Sequence, residues 1–188
     1  NAKMEISDAW RKVLRTYNID RGTTEPYHPH QNAVERRIQE IKKVTLAILD
    51  HTNAPANLWA MATKYAIMLL NHTANDSIGG ITPIEKAFGI TPDISALMQY
   101  SFYEPVYYLD TIPNSTSFPT SKEKLGRFIG VAESTGDAMT YYVLTADSKI
   151  IARSVMRSAL DLENKNLRVL DTINVEELRD TVYHDKNI

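Results

Sequence analysis

The stretch that decides the fold is PYHPHQNAVERRIQEIKKV, residues Pro26–Val44. Prolines 26 and 29 favour extended backbone before them, so the stretch begins as an extended turn. Apolar residues then recur at helical spacing, which predicts a helix from about Asn32 to Asp50 with one buried face. That face consists of Val34, Ile38, Ile41, Thr45 and Ile48.

A polar face runs beside the apolar one on this predicted helix. Glu35 lies in the first turn, where the helix dipole favours a carboxylate. Gln39 and Lys42 follow on the same face at steps of four and three, and Arg36 and Lys43 flank it. A glutamate at a helix start often serves the helix alone, and it can also be a functional carboxylate. Spacing alone leaves both interpretations open.

Two further helices are predicted on either side. Ser7 is a candidate N-cap for a helix over residues 8–18, whose apolar stripe we expect to pack in a core. A third helix over residues 55–71 is apolar on a broad surface, so we expect it to be buried against the core or a partner chain. This surface consists of Leu58, Trp59, Ala62, Tyr65, Ala66, Met68, Leu69 and Leu70.

The region after the third predicted helix contains turn and helix-cap residues. Thr82-Pro83-Ile84-Glu85 has the pattern of an N-cap, a first-turn proline and a capping-box glutamate. Gly89 is placed to end the resulting short helix.

From about residue 100 the periodicity becomes that of β-strands. Strand-like runs YEPVYYL, RFIGVA, MTYYVLT and KIIARSVM alternate with polar turns, which predicts a small antiparallel β-barrel or sheet. The class is therefore α+β, with expected domains at 1–98 and 99–160 and an acidic tail at 161–188.

Composition restricts the chemistry. Net charge is −2, so no global basic field marks a nucleic-acid binder, and any phosphate contact must be local. The chain has no cysteine, which excludes disulfides, thiolate zinc sites and cysteine nucleophiles. No apolar run reaches the roughly 18 residues of a membrane span and no signal peptide is evident, so we expect no membrane association and an intracellular location.

Several segments together resemble copia-type retrotransposon integrases. PYHPHQNAVERR is similar to the stretch that holds the family's last catalytic carboxylate, and NLWAMATKYAIMLLNHT to its tryptophan-bearing helix. ITPIEKAFGITPDIS resembles the family's T-P-x-E segment. LGRFIGVAESTGDAMTYYVL and KIIARSVMRSA resemble the small β domain that follows the core. The resemblance covers roughly residues 1–160 in the same order, which is more specific than a single motif.

This resemblance implies part of an RNase H-like core followed by an SH3-like β domain, and metal-dependent polynucleotidyl transfer in DNA integration. Two Mg²⁺ or Mn²⁺ ions held by an Asp-Asp-Glu triad would serve that reaction. By position, Glu35 corresponds to the catalytic, metal-binding glutamate. The residues expected to contact DNA are Gln31, Asn32, Arg36, Gln39, Lys42 and Lys43.

The family's two aspartates are absent from this chain, and Asn1 corresponds to the residue after the second one. One carboxylate cannot hold two Mg²⁺ ions, so we expect a fragment of an integrase that is inactive alone. A functional integrase would act in the nucleus, and the helix over 55–71 is a candidate surface for self-association. The alternatives are a non-catalytic module that binds nucleic acid or protein, and a decayed transposon relic.

Overall fold

The computed structural model describes residues 7–19, 33–110, 119, 121–133, 135 and 139–169. By its internal contacts the chain divides into two compact units, Asn1–Gln39 and Glu40–Ile188. Helices and one antiparallel sheet both occur, which confirms the predicted α+β class. In the part of the chain that is described, no helix has the length and apolar character that crossing a membrane requires.

Helix α1 (Asp8–Thr16) lies in the first unit. Its predicted cap is confirmed, because the backbone N–H of Trp10 donates to the Ser7 hydroxyl at 3.2 Å. The expected burial of its apolar stripe is wrong for the described residues, since α1 has no buried residue and Tyr17 is 71% exposed. A helix buries a stripe only against another element, and no described element covers this one.

Helix α2 (Ala33–Thr52) confirms the long helix predicted from residue 32 to 50. Its predicted buried face is correct only in the second half, where Thr45 is buried and Ile48 packs against the core. In the first half the prediction is wrong, since Val34 is 68% and Ile38 46% exposed. Helical periodicity identifies an apolar face, but whether the face is covered depends on the neighbouring elements.

Helix α3 (Trp59–His72) follows a 3₁₀ turn at Ala56–Leu58, close to the predicted range. Leu58, Ala62 and Tyr65 are buried, so this face is covered by the core as expected. Trp59 departs from the prediction because it is 53% exposed. The Thr45 hydroxyl of α2 lies 3.3 Å from the Thr63 hydroxyl of α3, so the two helices are in contact at this point.

Short helices connect α3 to the sheet. A 3₁₀ turn (Asp76–Ile78) is followed by α4 (Pro83–Phe88) and α5 (Ser95–Met98). The cap predicted for α4 is confirmed, because the Thr82 hydroxyl accepts from the Glu85 N–H at 3.1 Å and Gly89 ends the helix at φ +72°. The Glu85 carboxylate also accepts a hydrogen bond from the Thr91 hydroxyl.

Five antiparallel strands form the sheet. They are β1 (Pro105–Leu109), β2 (Glu123–Val131), β3 (Tyr141–Thr145), β4 (Ile150–Arg153) and β5 (Met156–Ser158). Their order in the sheet is β4-β3-β2-β1-β5. Strand β2 begins at Glu123, four residues before the strand-like run RFIGVA in the sequence.

The link between β4 and β5 requires the sheet to bend. These strands lie at opposite ends of the strand order, yet only Ser154 and Val155 connect them. Three Cα steps span at most about 11 Å. In a flat sheet, four strand spacings of about 4.8 Å would hold the two strands about 19 Å apart. The sheet is therefore strongly curved.

An aromatic core joins α3 to the sheet. Phe128 of β2 has ring contacts with Tyr65, Tyr100 and Tyr141 at centroid distances of 5.6 to 5.9 Å. Two hydroxyls in the segment before β1 and in β3 are satisfied: Tyr100 donates to the Met156 carbonyl at 2.9 Å and Tyr141 to Gln99 at 2.5 Å. Tyr100 and Tyr141 can supply apolar area to the core because each of these two hydroxyls has a partner. Among the described residues, the largest fully buried side chains are Leu58, Val106, Phe128, Ile129, Tyr141, Val143 and Leu144.

Some predictions fall beyond the described residues. They are the extended turn at residues 26–30, most of the acidic tail, and the loop residues expected to approach DNA. The domain limits at residues 98 and 160 also stay predictions. Within the described part, however, α3 and β2 share one core in the second unit.

Candidate nucleic-acid interface

Helix α2 presents the candidate glutamate to solvent. Glu35 lies in the first helical turn and its side chain is exposed. Arg36, Gln39, Lys42 and Lys43 are also exposed. The structure therefore leaves all five of these predicted site residues accessible to a ligand.

The boundary between the two units falls within α2, after Gln39. Glu35, Arg36 and Gln39 belong to the first unit, whereas Lys42 and Lys43 belong to the second. That these residues act as one surface stays a prediction. Gln31 and Asn32, the other two predicted contacts, lie outside the described residues.

The second half of α2 is anchored where the two lysines lie. Thr45, one turn after Lys42, is buried and donates to the Ile41 carbonyl at 2.8 Å. Its contact with Thr63 and the packing of Ile48 fix this half of the helix on the core. Lys42 and Lys43 therefore project from a rigid support, which favours a defined contact over a mobile one.

A two-metal centre does not fit the described residues. Within them, no three or more histidine, aspartate or glutamate side chains lie close enough together to hold a metal ion. Hard divalent ions need several oxygen ligands, and Glu35 supplies one carboxylate.

The arginines of the sheet have partners within the chain. Arg157 of β5 forms a two-pronged ion pair with Glu123 of β2, with Nε–Oε1 and Nη2–Oε2 distances of 2.9 Å. Its guanidinium carbon lies 4.5 Å from the Tyr107 ring centroid. Arg153 donates to the carbonyls of Leu109 and Ala152. These contacts orient both arginines for structural roles.

A second ion pair lies at the end of β1. Asp110 is buried, and Lys124 Nζ lies 2.5 Å from its Oδ2. The hydrogen bond to Asp110 raises the pKa of Lys124. Lys64 of α3 lies 5.0 Å from the Tyr142 ring centroid, a cation–π contact between helix and sheet.

Sequence reasoning missed these pairs because their members are distant in the chain. Glu123 and Arg157 are 34 residues apart, and no local motif marks either. The predicted strand-like runs RFIGVA and KIIARSVM include neither residue, and pairing them also requires the register Tyr107↔Arg157 and Tyr107↔Leu125. Those two pairings bring β2 and β5 to the two sides of β1.

Comparison with known proteins supports a transposon origin. No protein-family model matches the chain. Over 82 residues the chain is 28% identical to a retrovirus-related Pol polyprotein from transposon RE1 of Arabidopsis thaliana. The match covers 43% of this chain and 6% of that polyprotein, so the chain spans a small part of its relative. This distant, partial similarity supports an origin in a retrotransposon Pol polyprotein.

Proposed function

We propose that the chain is the later part of a retrotransposon integrase, comprising the end of the catalytic core and the following β domain. The similarity to a transposon Pol polyprotein carries the proposal. The order of elements supports it: a long helix with an exposed glutamate in its first turn precedes a tryptophan-bearing helix, a capped short helix and a β domain. The family motifs quoted above occupy these elements in the same sequence order.

The topology of the sheet supports an SH3-like barrel for the β domain. The two-residue link between β4 and β5 brings opposite ends of the strand order together, as closure into a small barrel requires. Barrel closure removes exposed strand edges, which suits a domain of five short strands.

In this proposal Glu35 is the last of three catalytic carboxylates, and the chain alone does not catalyse strand transfer. The ions and the two aspartates would come from a complete core, where Mg²⁺ or Mn²⁺ supplies electrostatic stabilisation of the phosphodiester. The contribution of this chain is to place Glu35 at the start of a helix and to present cations to DNA. Its place of action would then be the nucleus.

Sequencing the genomic region upstream of the Asn1 codon tests the ancestry. We expect an in-frame aspartate codon immediately before Asn1 and a second aspartate upstream on a predicted strand. A start codon in that position would contradict the integrase proposal and favour an independent module or a relic.

Fluorescence anisotropy with a labelled DNA duplex tests the interface. We expect weak binding whose affinity falls steeply with salt, because each lysine–phosphate contact releases condensed counterions. Lys42→Ala with Lys43→Ala should reduce the slope of log K against log salt by about 1 to 2. Lys86→Ala, which removes an exposed lysine of α4, is the matched control and should leave the slope unchanged.

Two results would contradict this interface. Binding that is insensitive to salt is inconsistent with phosphate contacts. An equal loss of slope in the Lys86→Ala control would show that any surface lysine suffices, so α2 would hold no defined interface.

A non-catalytic interaction module is the second candidate. The observation that favours it is the set of exposed apolar side chains on α1 and the first half of α2, which includes Trp10, Tyr17 and Val34. Self-association through α3, where Trp59 is exposed, belongs to the same proposal. Light scattering after gel filtration tests it: Trp59→Lys should convert an oligomer to a monomer, and a wild-type monomer would contradict it.

A further inference from the structure

The structure holds its last described segment, Leu160–Val169, against the sheet by side-chain contacts. We call this segment the strap. It contains no helix or strand, and Leu162 and Leu167 are each 81% exposed. Apolar burial therefore contributes little to its position, and its docking depends on a small set of polar contacts.

Two of these contacts involve the ion pair between β2 and β5. Oε2 of Glu123 accepts from Nη2 of Arg157 at 2.9 Å and from Nδ2 of Asn166 at 2.7 Å. Arg157 Nη1 donates to the carbonyl of Asn164 in the strap. The Glu123 carboxylate and the Arg157 guanidinium therefore bind each other across the sheet, and each also binds the strap.

Two weaker contacts fasten the strap to the segment before β2. Nδ2 of Asn166 also lies 3.2 Å from the Ser121 hydroxyl, and Arg168 donates to the Pro119 carbonyl. The Arg168 N–H donates to Oδ1 of Asn166 at 3.1 Å. Both the nitrogen and the oxygen of the Asn166 side-chain amide therefore have partners. Asn166 is the side chain through which the strap engages the sheet.

The strap forms one wall of a cavity. A cavity of about 300 Å³ lies between sheet residues that include Pro105, Tyr107 and Leu125 and strap residues that include Lys165 and Val169. Because the strap supplies a wall, its release would remove that wall and expose the sheet residues that line the cavity. Release would also free the face of Arg157 that now binds Asn164.

We propose that the strap is a releasable latch controlled by the Glu123–Arg157 pair. In the closed state the strap lies beside Pro119 and Ser121. In the open state the strap is released, with Tyr107 uncovered and Arg157 free on one side. Opening of the latch therefore exposes an aromatic and cationic surface. This inference does not depend on the integrase proposal.

Thiol reactivity can measure the opening, because the chain contains no cysteine. Val169→Cys places one thiol in the cavity wall, and its rate of reaction with 5,5′-dithiobis(2-nitrobenzoate) reports the fraction of open strap. Adding Glu123→Gln should raise this rate by about tenfold or more, since it removes the charge from the shared hydrogen bonds. Asn166→Ala should raise it as well, because it removes only the strap's side of the contact.

Matched controls decide the outcome. Glu163→Gln alters an exposed strap carboxylate away from the ion pair and should leave the rate within twofold. A thiol introduced by Leu167→Cys gives the rate for a fully accessible strap position. If Glu123→Gln fails to fold, as circular dichroism would show, Asn166→Ala decides the question because it lies outside the sheet.

The latch is overturned by either of two results. One is a Val169→Cys thiol that reacts as fast in the otherwise unaltered chain as the Leu167→Cys thiol, because the strap would then already be open. The other is a rate in the folded Asn166→Ala variant no higher than in the Glu163→Gln control, because the strap would then not be held through Asn166.

Discussion

Tyr65 of α3 meets Phe128 of β2 edge to face, with ring centroids 5.9 Å apart and ring planes at 87°. This geometry sets the positive edge of one ring against the negative face of the other. Phe128 is fully buried and also contacts Tyr100 and Tyr141, so one ring connects the helix, the segment before β1, and β3. The helical and β portions of the second unit share a core at this residue.

Phe128→Ala should therefore lower the free energy of unfolding by about 3–5 kcal/mol, because it removes a buried ring and leaves a cavity. Urea denaturation followed by circular dichroism measures the change. Phe88→Ala is the matched control: Phe88 is 75% exposed on α4, and its truncation should cost at most about 0.5 kcal/mol. Equal losses in the two variants would contradict a shared core at Phe128.

The sequence predicted the elements of this core better than their contacts. Ser7 and Thr82 identified helix starts because a capping hydroxyl acts within three residues, and the cap at α4 is confirmed. Alternation located the strands for the same local reason. The covering of α3 by β2 could not be deduced, because Tyr65 and Phe128 are distant in sequence and periodicity does not identify the partner of an apolar face.

At the candidate site, too, the sequence predicted the position of residues within a helix but not their packing. Glu35 was placed in the first turn of a long helix by spacing, and the structure confirms that placement. The exposure of Val34 and Ile38 was not foreseen, since it depends on which elements pack nearby. The Glu123–Arg157–Asn166 contacts escaped prediction because they require the register of three antiparallel strands and the path of an irregular segment.

Gly126 of β2 should not tolerate a side chain. A Cβ at this position would lie 2.4 Å from Val143 Cγ1 and 2.9 Å from the Leu144 carbonyl oxygen, a backbone atom of the neighbouring strand. Gly126→Ala should therefore destabilise the fold by about 1–3 kcal/mol. Thermal denaturation measures the loss, with Lys149→Ala on the exposed β3–β4 turn as control. A variant as stable as that control would show that the strands separate without cost.

Glu35 should not create a tight metal site in this chain. One carboxylate gives a hard divalent ion too few oxygen ligands. Titration calorimetry should therefore give the same weak Mg²⁺ binding before and after Glu35→Gln. Tight binding that disappears in the variant would be inconsistent with this expectation, because other ligands would then have to gather around Glu35.

The contact of Glu123 with the strap should weaken in acid. The hydrogen bond from Arg157 lowers the pKa of Glu123, and Asn166 and the charge of Arg157 add to that effect against the opposing influence of burial. A lowered pKa means that the ionised carboxylate stabilises the folded state at neutral pH, and the part of the lowering that Asn166 causes stabilises the closed strap. That contribution is lost as the pH falls through the lowered pKa, below the usual glutamate value of about 4.3.

Nuclear magnetic resonance can follow this titration through the Arg157 Nε–H and the Asn166 side-chain amide. Both signals should shift together with a midpoint below the usual glutamate value, and neither should show this transition in Glu123→Gln. The neighbouring charges of Lys122, just before β2, and of Lys124 in β2 remain in both proteins and serve as the internal reference. A midpoint at or above the usual value would contradict a carboxylate held in its ionised form by Arg157.

Strand β5 completes the sheet beside β1, although β2, β3 and β4 all lie between them in sequence. A chain still on the ribosome, or truncated before Met156, can pair its first four strands and yet leave the backbone amides and carbonyls on the outer side of β1 unmatched. Such an edge recruits strands from other molecules. Met156–Ser158 are synthesised late. By pairing with β1 they cover this edge, so that strands of other molecules cannot pair there.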